Sequence, residues 1–306
     1  MQKYFFIVNP VSSYGKTGKR WQRIKEQLEA EGLSFAHELT REPGHAADLS
    51  RDALRNGYNI LVSVGGDGTL NEVVNGFFAV DQETRERASL GVISTGTGGD
   101  FVRSLQLPRD IPEAAQRIAR GQVRRLDIGL INFARHDGET EQRYFCNIAD
   151  VGLGGFMVSR ARHNSRVLGG LLFFLLSTIG SIILYRNQDL SAVIDDCIRW
   201  RGKAVVFVAG NGQYFGGGMR ITPLAILDDG LLDFLLIKDM PKLRLLANLY
   251  RVYRGNHLKI AGVELFRGKK VRIESPADIL LEMDGEQPGK TPVEIGILPK
   301  ALRFIV

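Results

Sequence analysis

Apolar and polar positions along the 306-residue chain change rhythm near residue 123. Before that point, short apolar runs alternate with stretches in which apolar residues recur every three or four positions. The runs at residues 3–8, 34–39, 60–64 and 90–94 read as strands. Residues 18–31, 45–56, 69–78 and 112–120 read as helices. Trp21, Ile24 and Leu28 share one face of the first helix, and Gly32, Gly57 and Gly121 stand where helices stop. This alternation predicts an α/β domain with a parallel sheet and ligand loops at the carboxyl ends of its strands. Three such loops, 9–18, 65–68 and 95–100, are expected to converge on one crevice.

Beyond residue 123 strand-like runs dominate, at 124–130, 143–149, 204–209, 231–237, 264–266, 271–274, 279–283, 294–298 and 302–306. They predict an antiparallel β-sandwich or open barrel. An apolar helix at 168–185 and an amphipathic one at 241–254 interrupt it. The organisation expected is an α/β domain over 1–123 and an all-β antiparallel sandwich domain with inserted helices over 124–306. The last strand is free to return to the first domain.

Residues 168–185 carry no charge, but a membrane span needs about 20 apolar residues. Gly169, Gly170, Ser177, Gly180 and Ser181 dilute the stretch further. It reads as a buried or membrane-contacting helix, flanked by Arg160, Arg162, Arg166 and Arg186. The helix at 241–254 places Lys242, Arg244, Arg251 and Arg254 beside apolar residues, a pattern suited to an anionic membrane surface. A net charge of +6 likewise favours anionic partners, nucleotides or acidic headgroups. No long Lys/Arg tract interleaved with aromatics appears, which argues against nucleic acid. Cys146 and Cys197 have no metal or redox spacing and read as free thiols in a reducing cytoplasm. The apolar run near Met1 is too short for a signal peptide, so the expected location is cytoplasmic with peripheral membrane attachment.

The chemistry concentrates in glycine-rich turns. Gly65, Gly66, Asp67, Gly68, Thr69, Leu70, Asn71 and Glu72 follow the strand at 60–64 directly. Glycines let backbone N–H groups approach phosphate, and the helix that Thr69–Asn71 open turns its positive end to the same anion. Asp67 needs a cation between itself and phosphate, which suggests Mg²⁺ and a nucleotide. The loop Asn9, Pro10, Val11, Ser12, Ser13, Tyr14, Gly15, Lys16 contains Gly-Lys-Thr, yet Pro10 stands where a P-loop needs glycine. It reads as a polar loop whose hydroxyls and amides receive phosphates, with Lys16 adding charge. A second glycine-rich loop, Thr95 to Phe101, ends in Asp100 and lacks the third glycine of the dinucleotide fingerprint. Asp127 lies inside an apolar strand, costly unless paired or metal-bound. Asp228-Asp229-Gly230 opens one strand and Asp284-Gly285-Glu286 closes another; each alone is a turn signal.

As an ordered set these residues resemble the diacylglycerol kinase catalytic family, the soluble bacterial lipid kinases related to ceramide and sphingosine kinases. The matching pieces are Asn9-Pro10 with Ser12 and Gly15, Thr40, Gly65 to Glu72, Gly96-Thr97 with Asp100-Phe101, Leu126-Asp127, Asn147 with Gly152 and Gly154, Asp228-Asp229-Gly230 and Asp284-Gly285-Glu286. The Gly-Gly-Asp-Gly-Thr element is also shared with NAD kinases and, more loosely, phosphofructokinases, which gives the first domain its expected fold. The resemblance implies ATP between the domains, its phosphates near Asn9, Pro10, Ser12, Ser13, Gly65 to Asn71 and Thr97, with Thr40 near the nucleotide. It implies Asp284 as the base that takes the proton from a lipid hydroxyl, with Glu286 beside it. It implies a structural Mg²⁺ on Asp229 and the carbonyls of Ile226 and Leu231, joined through water by Asp67, Asp100 and Asp127. One departure stands out: the family usually has asparagine before the aspartate of the second loop, and this chain has Gly99.

The activity implied is transfer of the γ-phosphate of ATP to a lipid alcohol such as diacylglycerol. Phosphoryl transfer needs positioning, Mg²⁺ and a carboxylate near the attacking hydroxyl, and the apolar helices suit a lipid acceptor. The alternatives are an NAD kinase-like enzyme and a non-catalytic lipid-binding protein, the latter supported by Gly99 alone. Which lipid is used is open, and so is the oligomeric state, a homodimer among the options.

Overall fold

The computed structural model describes residues 2–96, 98–164 and 171–306, the side chains of 161–174 apart. Thr97, Arg162, Arg166 and the first part of the expected helix at 168–185 therefore lie outside the described residues or side chains.

The chain divides into two compact units, residues 1–128 with 300–306, and residues 129–299. The first begins with β1 (Tyr4–Val8), α1 (Lys16–Ala30), β2 (Phe35–Leu39), α2 (His45–Arg55), β3 (Ile60–Gly65) and α3 (Asp67–Phe78). It continues through α4 (Gln82–Arg87), β4 (Ser89–Ser94), α5 (Asp100–Ser104) and α6 (Ile111–Arg120) to β5 (Val123–Ala134), which leads into the second unit. Strands β2, β1, β3 and β4 lie side by side in that order, all parallel. β3 is buried at all six positions, as expected of a central parallel strand covered on both faces. Phe6, Val8, Ile24, Leu28, Val62, Val64 and Ile118 form one core between sheet and helices. Each such side chain removed from water stabilises the fold by about 1.5–3 kcal/mol.

The second unit holds β6 (Thr140–Phe145), β7 (Ile148–Gly152), α7 (Leu153–Asn164), α8 (Leu171–Leu184), β8 (Gln188–Ile194), β9 (Ile198–Gly210), β10 (Leu232–Lys238) and α9 (Lys242–Arg254). A short 3₁₀ turn (His257–Lys259) precedes β11 (Val263–Gly268), β12 (Lys270–Glu274), β13 (Leu281–Met283) and β14 (Lys290–Ile305). Among the described residues the strands of this unit pair antiparallel. The early half of β9 pairs with β8; its later half runs between β10 and β7. Phe145, Ala149, Phe207, Phe234, Leu281 and Ile295 belong to the core of this unit.

Several boundaries differ from the sequence reading. The expected strand at 143–149 is two strands, β6 and β7, interrupted at Cys146 and Asn147, whose amides turn to a side chain instead of a neighbouring strand. The two expected strands at 294–298 and 302–306 are one, β14, which pairs with β12 early and reaches β4 through Phe304 opposite Leu90. Alternation of buried Leu190, Ala192 and Ile194 makes β8, which the reading omitted, as it omitted α4, α5 and α7. The helix expected from Thr69 begins at Asp67.

Residues 300–306 complete the first unit. Arg117 of α6 is 7% exposed, and its guanidinium donates to the carbonyls of Ile305 at 2.7 Å and Val92 at 2.6 Å. Burial lowers its pKa to about 10, so it still carries its charge at neutral pH, with Nη1 and Nη2 on carbonyl dipoles and Nε left without a partner among the described residues.

Candidate active site

In the first unit the loops after β1, β3 and β4 meet. Asn9 Nδ2 donates to Thr69 Oγ1 at 2.9 Å, and Thr17 and Thr95 share a hydrogen bond of 2.7 Å between their hydroxyls. The amides of Thr95 and Gly96 both donate to Gly65 O, at 2.8 and 3.2 Å. The approach is so close that a Cβ on Gly96 would lie 2.6 Å from Gly66 Cα. Only glycine fits at 96, because backbone cannot yield as a flexible side chain can. Thr40 sits at the same sheet end, its amide donating to Val8 O at 2.8 Å.

The first loop spends many of its amides internally: Ser12, Gly15, Lys16, Thr17 and Gly18 donate to carbonyls between Asn9 and Ser13. What it offers a ligand includes side chains, the hydroxyls of Ser12 and Ser13 and the ammonium of Lys16. The start of α3 differs. Its N-cap is Gly66, and no side chain caps the helix, so an anion is a natural acceptor for its first-turn N–H groups. Gly68 has nothing within 4 Å of a Cβ position, leaving that approach open. Leu70 and Asn71 are turned inward, 2% and 3% exposed. A hollow of about 360 Å³ is lined by Ser13, Lys16, Arg20, Thr95, Gly96 and Arg109, with Ser94, Asp110 and Ile111.

The carboxylates are held by specific partners. Asp67 accepts the amides of Asp100 at 3.2 Å and Phe101 at 3.3 Å, and so caps α5. Asp100 pairs with Arg103 at 2.7 Å. A Cβ on Gly98 would lie 2.9 Å from Asp67 Oδ2 and 3.8 Å from Asp100 Oδ2, so both carboxylates border the same bare glycine. Asp127 is fully buried and accepts the amide of Lys300 at 2.6 Å.

In the second unit Asp284 ends β13 in the left-handed region, at φ 45°. Its carboxylate accepts three consecutive amides, Cys146 at 2.8 Å on Oδ2 and Asn147 and Ile148 at 3.0 Å on Oδ1. Those bonds make the break between β6 and β7. Glu286 pairs with Arg143 at 3.5 Å. Asp229 accepts the amide of Leu231 at 3.1 Å and pairs with Arg267, which also holds Asp233 at 2.8 Å. A guanidinium thus stands on the carboxylate to which the resemblance assigns a metal. Among the described residues, no group of three or more His, Cys, Asp or Glu side chains is placed to hold a metal ion.

Two carboxyls in this unit escaped the sequence reading. Asp150 and Glu282 stand directly opposite in the β7–β13 register, 0% and 4% exposed. Glu282 Oε1 accepts the amide of Gly285 at 2.5 Å, and the Asp150 carboxyl lies against Gly154. Burial pushes Asp150 up to about 6, against the pull of Glu282 and the nearby amides of Gly155 and Gly154. Glu282 is raised well above the ordinary range by burial and then by the charge of Asp150. Two facing carboxyls in one dry place hold a proton between them. Asp150 also lines an apolar cavity walled by Val206, Val208, Ile237, Met240 and Ile260. The signal available was a carboxylate inside each of two apolar strand runs.

Residues 3–131 match the family described as the diacylglycerol kinase catalytic domain, and 150–306 match the YegS C-terminal NAD kinase beta sandwich-like domain. A diacylglycerol kinase of Staphylococcus saprophyticus is 30% identical over 286 residues, spanning 94% of this chain and 89% of the relative. One of Bacillus subtilis is 27% identical over 307 residues, covering 100% and 97%. Among solved structures, a diacylglycerol kinase from Bacillus anthracis superposes with a TM-score of 0.78 at 25% identity, covering 99% and 96%. An NAD kinase from Archaeoglobus fulgidus shares the fold at a TM-score of 0.52 and 16% identity, covering 100% and 94%. With an α/β unit that carries the glycine-rich loops and a β-rich unit that carries Asp284, the chain belongs to the diacylglycerol kinase family of lipid kinases.

Proposed function

We propose that the protein transfers the γ-phosphate of ATP to the hydroxyl of a neutral lipid such as diacylglycerol, with Asp284 as general base. The observation that carries this reading is the seat of Asp284: a carboxylate in a left-handed turn, fixed by three backbone amides. Such fixing orients a base without a second side chain, and orientation is most of what phosphoryl transfer asks of a protein. Asp284 would accept the hydroxyl proton; Glu286, tethered by Arg143, would stand beside it. Asn9, Ser12, Ser13, Thr40, Thr97 and the Gly65–Asn71 turn would receive the nucleotide.

Mg²⁺ would supply charge neutralisation on the phosphates. Asp67 and Asp100, bordering one glycine, would serve that role once Arg103 gives way at Asp100, as Arg267 would have to give way at Asp229. For the acceptor, the apolar cavity of the second unit suits acyl chains. Leu176, Ile183 and Leu184 of α8 and Leu243 and Tyr250 of α9 are exposed. Together with Lys242, Arg244, Arg251 and Arg254 they support docking on an anionic membrane. No helix among the described residues is long and apolar enough to cross one.

The test is incubation with γ-labelled ATP, Mg²⁺ and a panel of diacylglycerol, ceramide, sphingosine and NAD. Label in a lipid is expected. Label in NADP would favour the NAD kinase-like reading, and lipid binding without label would favour a non-catalytic protein.

A further inference from the structure

Gly99 is the N-cap of α5 at φ +61°. A Cβ there would lie 2.9 Å from both Cζ and Nε of Arg109. The guanidinium therefore fills the volume that a side chain at 99 would need, and its Nη2 donates to Gly96 O at 2.6 Å. From that seat Arg109 lines the same hollow as Lys16 and Arg20. The one carboxylate in the lining, Asp110, is turned to the amide of Glu113 as the cap of α6. Three cations thus surround a hollow floored by Thr95 and Gly96, at the tips of the loops that converge after β1 and β4. Unlike an ammonium, a guanidinium presents a planar fork that matches two phosphate oxygens at once.

We propose that Arg109 is a phosphate-binding residue of this chain, seated by the absence of a side chain at Gly99 and directed with Lys16 and Arg20 at the polyphosphate of the nucleotide. The inference rests on the reading of the first unit as the ATP-binding one. In this chain a side chain at 99 and the guanidinium of Arg109 would compete for one place.

Calorimetric titration of the full chain with ATP, tripolyphosphate and adenosine tests this. R109Q is expected to weaken ATP and tripolyphosphate on the order of 10- to 100-fold, the worth of a charge-assisted pair, while adenosine is unchanged. R109K should lie between. G99N, which keeps a residue tolerant of positive φ, should displace Arg109 and weaken ATP by itself, yet add little in the R109Q background. R109Q binding ATP and tripolyphosphate as tightly as the unaltered protein would overturn the proposal, as would an equal loss of adenosine or full additivity of G99N with R109Q. Tripolyphosphate held through Arg109 without any ATP binding would keep the phosphate role and remove the nucleotide reading. Binding of neither would end both.

Discussion

Asp150 and Glu282 face each other across β7 and β13, both buried, with the amide of Gly285 donating to Glu282 Oε1. Both titrate higher in the folded state than in the unfolded chain, where carboxyls sit near 4. The contribution to stability is therefore complete below about pH 4 and is lost as pH rises through the folded values, that of Asp150 being about 6. The steepest loss is about 1.4 kcal/mol per pH unit for each proton retained. E282Q keeps an oxygen for Gly285 N and removes one charge, so its thermal midpoint should vary less between pH 4 and 7 than that of the unaltered protein. Unfolding curves over that range settle it: parallel slopes would remove the shared proton.

Asp284 invites a comparison of two substitutions. From the sequence, Asp284→Ala is expected to abolish transfer and leave the fold intact. The three amides it accepts revise the second half of that expectation. Alanine strands Cys146, Asn147 and Ile148 and adds strain at positive φ, a cost of about 2–4 kcal/mol. Asp284→Asn retains acceptors and tolerates the left-handed turn. It should lose at least 100-fold in rate as a base with a far smaller fall in thermal midpoint. Near-normal turnover in D284N would take Asp284 out of its role.

Gly96 and Gly68 separate structure from ligand contact. Gly96→Ala drives a methyl into the backbone of Gly66 and should cost about 1–3 kcal/mol of stability along with activity. Gly68→Ala meets open space within a helix, so stability should hold or rise by up to about 1 kcal/mol. If phosphate approaches there, ATP affinity falls at least tenfold in G68A while unfolding is unchanged. Equal ATP affinity in G68A would place the phosphates elsewhere.

The membrane contact proposed for α9 is tested by sedimentation with vesicles. L243E/R244E alters a residue 81% exposed and its basic neighbour, neither engaged in a core. Partition onto vesicles containing anionic lipid should drop severalfold, at about 1 kcal/mol per cation, with turnover of detergent-dispersed lipid retained. Unchanged partition would remove α9 from the contact.

Much of the first unit was legible because its signals are local. Trp21, Ile24 and Leu28 set the face of α1 wherever the rest of the chain goes, and the glycines at 65, 66 and 68 announce their turn. The second unit was harder, since its breaks are set at long range. Nothing near Cys146 signals an interruption; Asp284 makes it from 138 positions away. β14 read as two strands because its halves serve different partners, β12 and β4. The facing of Asp150 with Glu282, and the seat of Arg109 against Gly99, arise from strand register and loop path, and one residue of shift would undo either.

Because residues 300–306 join the first unit, a fragment ending at residue 128 lacks part of its own sheet. Ribosomal synthesis must deliver the second unit whole before Arg117 can find the carbonyl of Ile305. The early segment therefore waits, incompletely closed, for as long as it takes to translate some 170 intervening residues. Pausing or trimming at the far end would be felt first in the α/β unit.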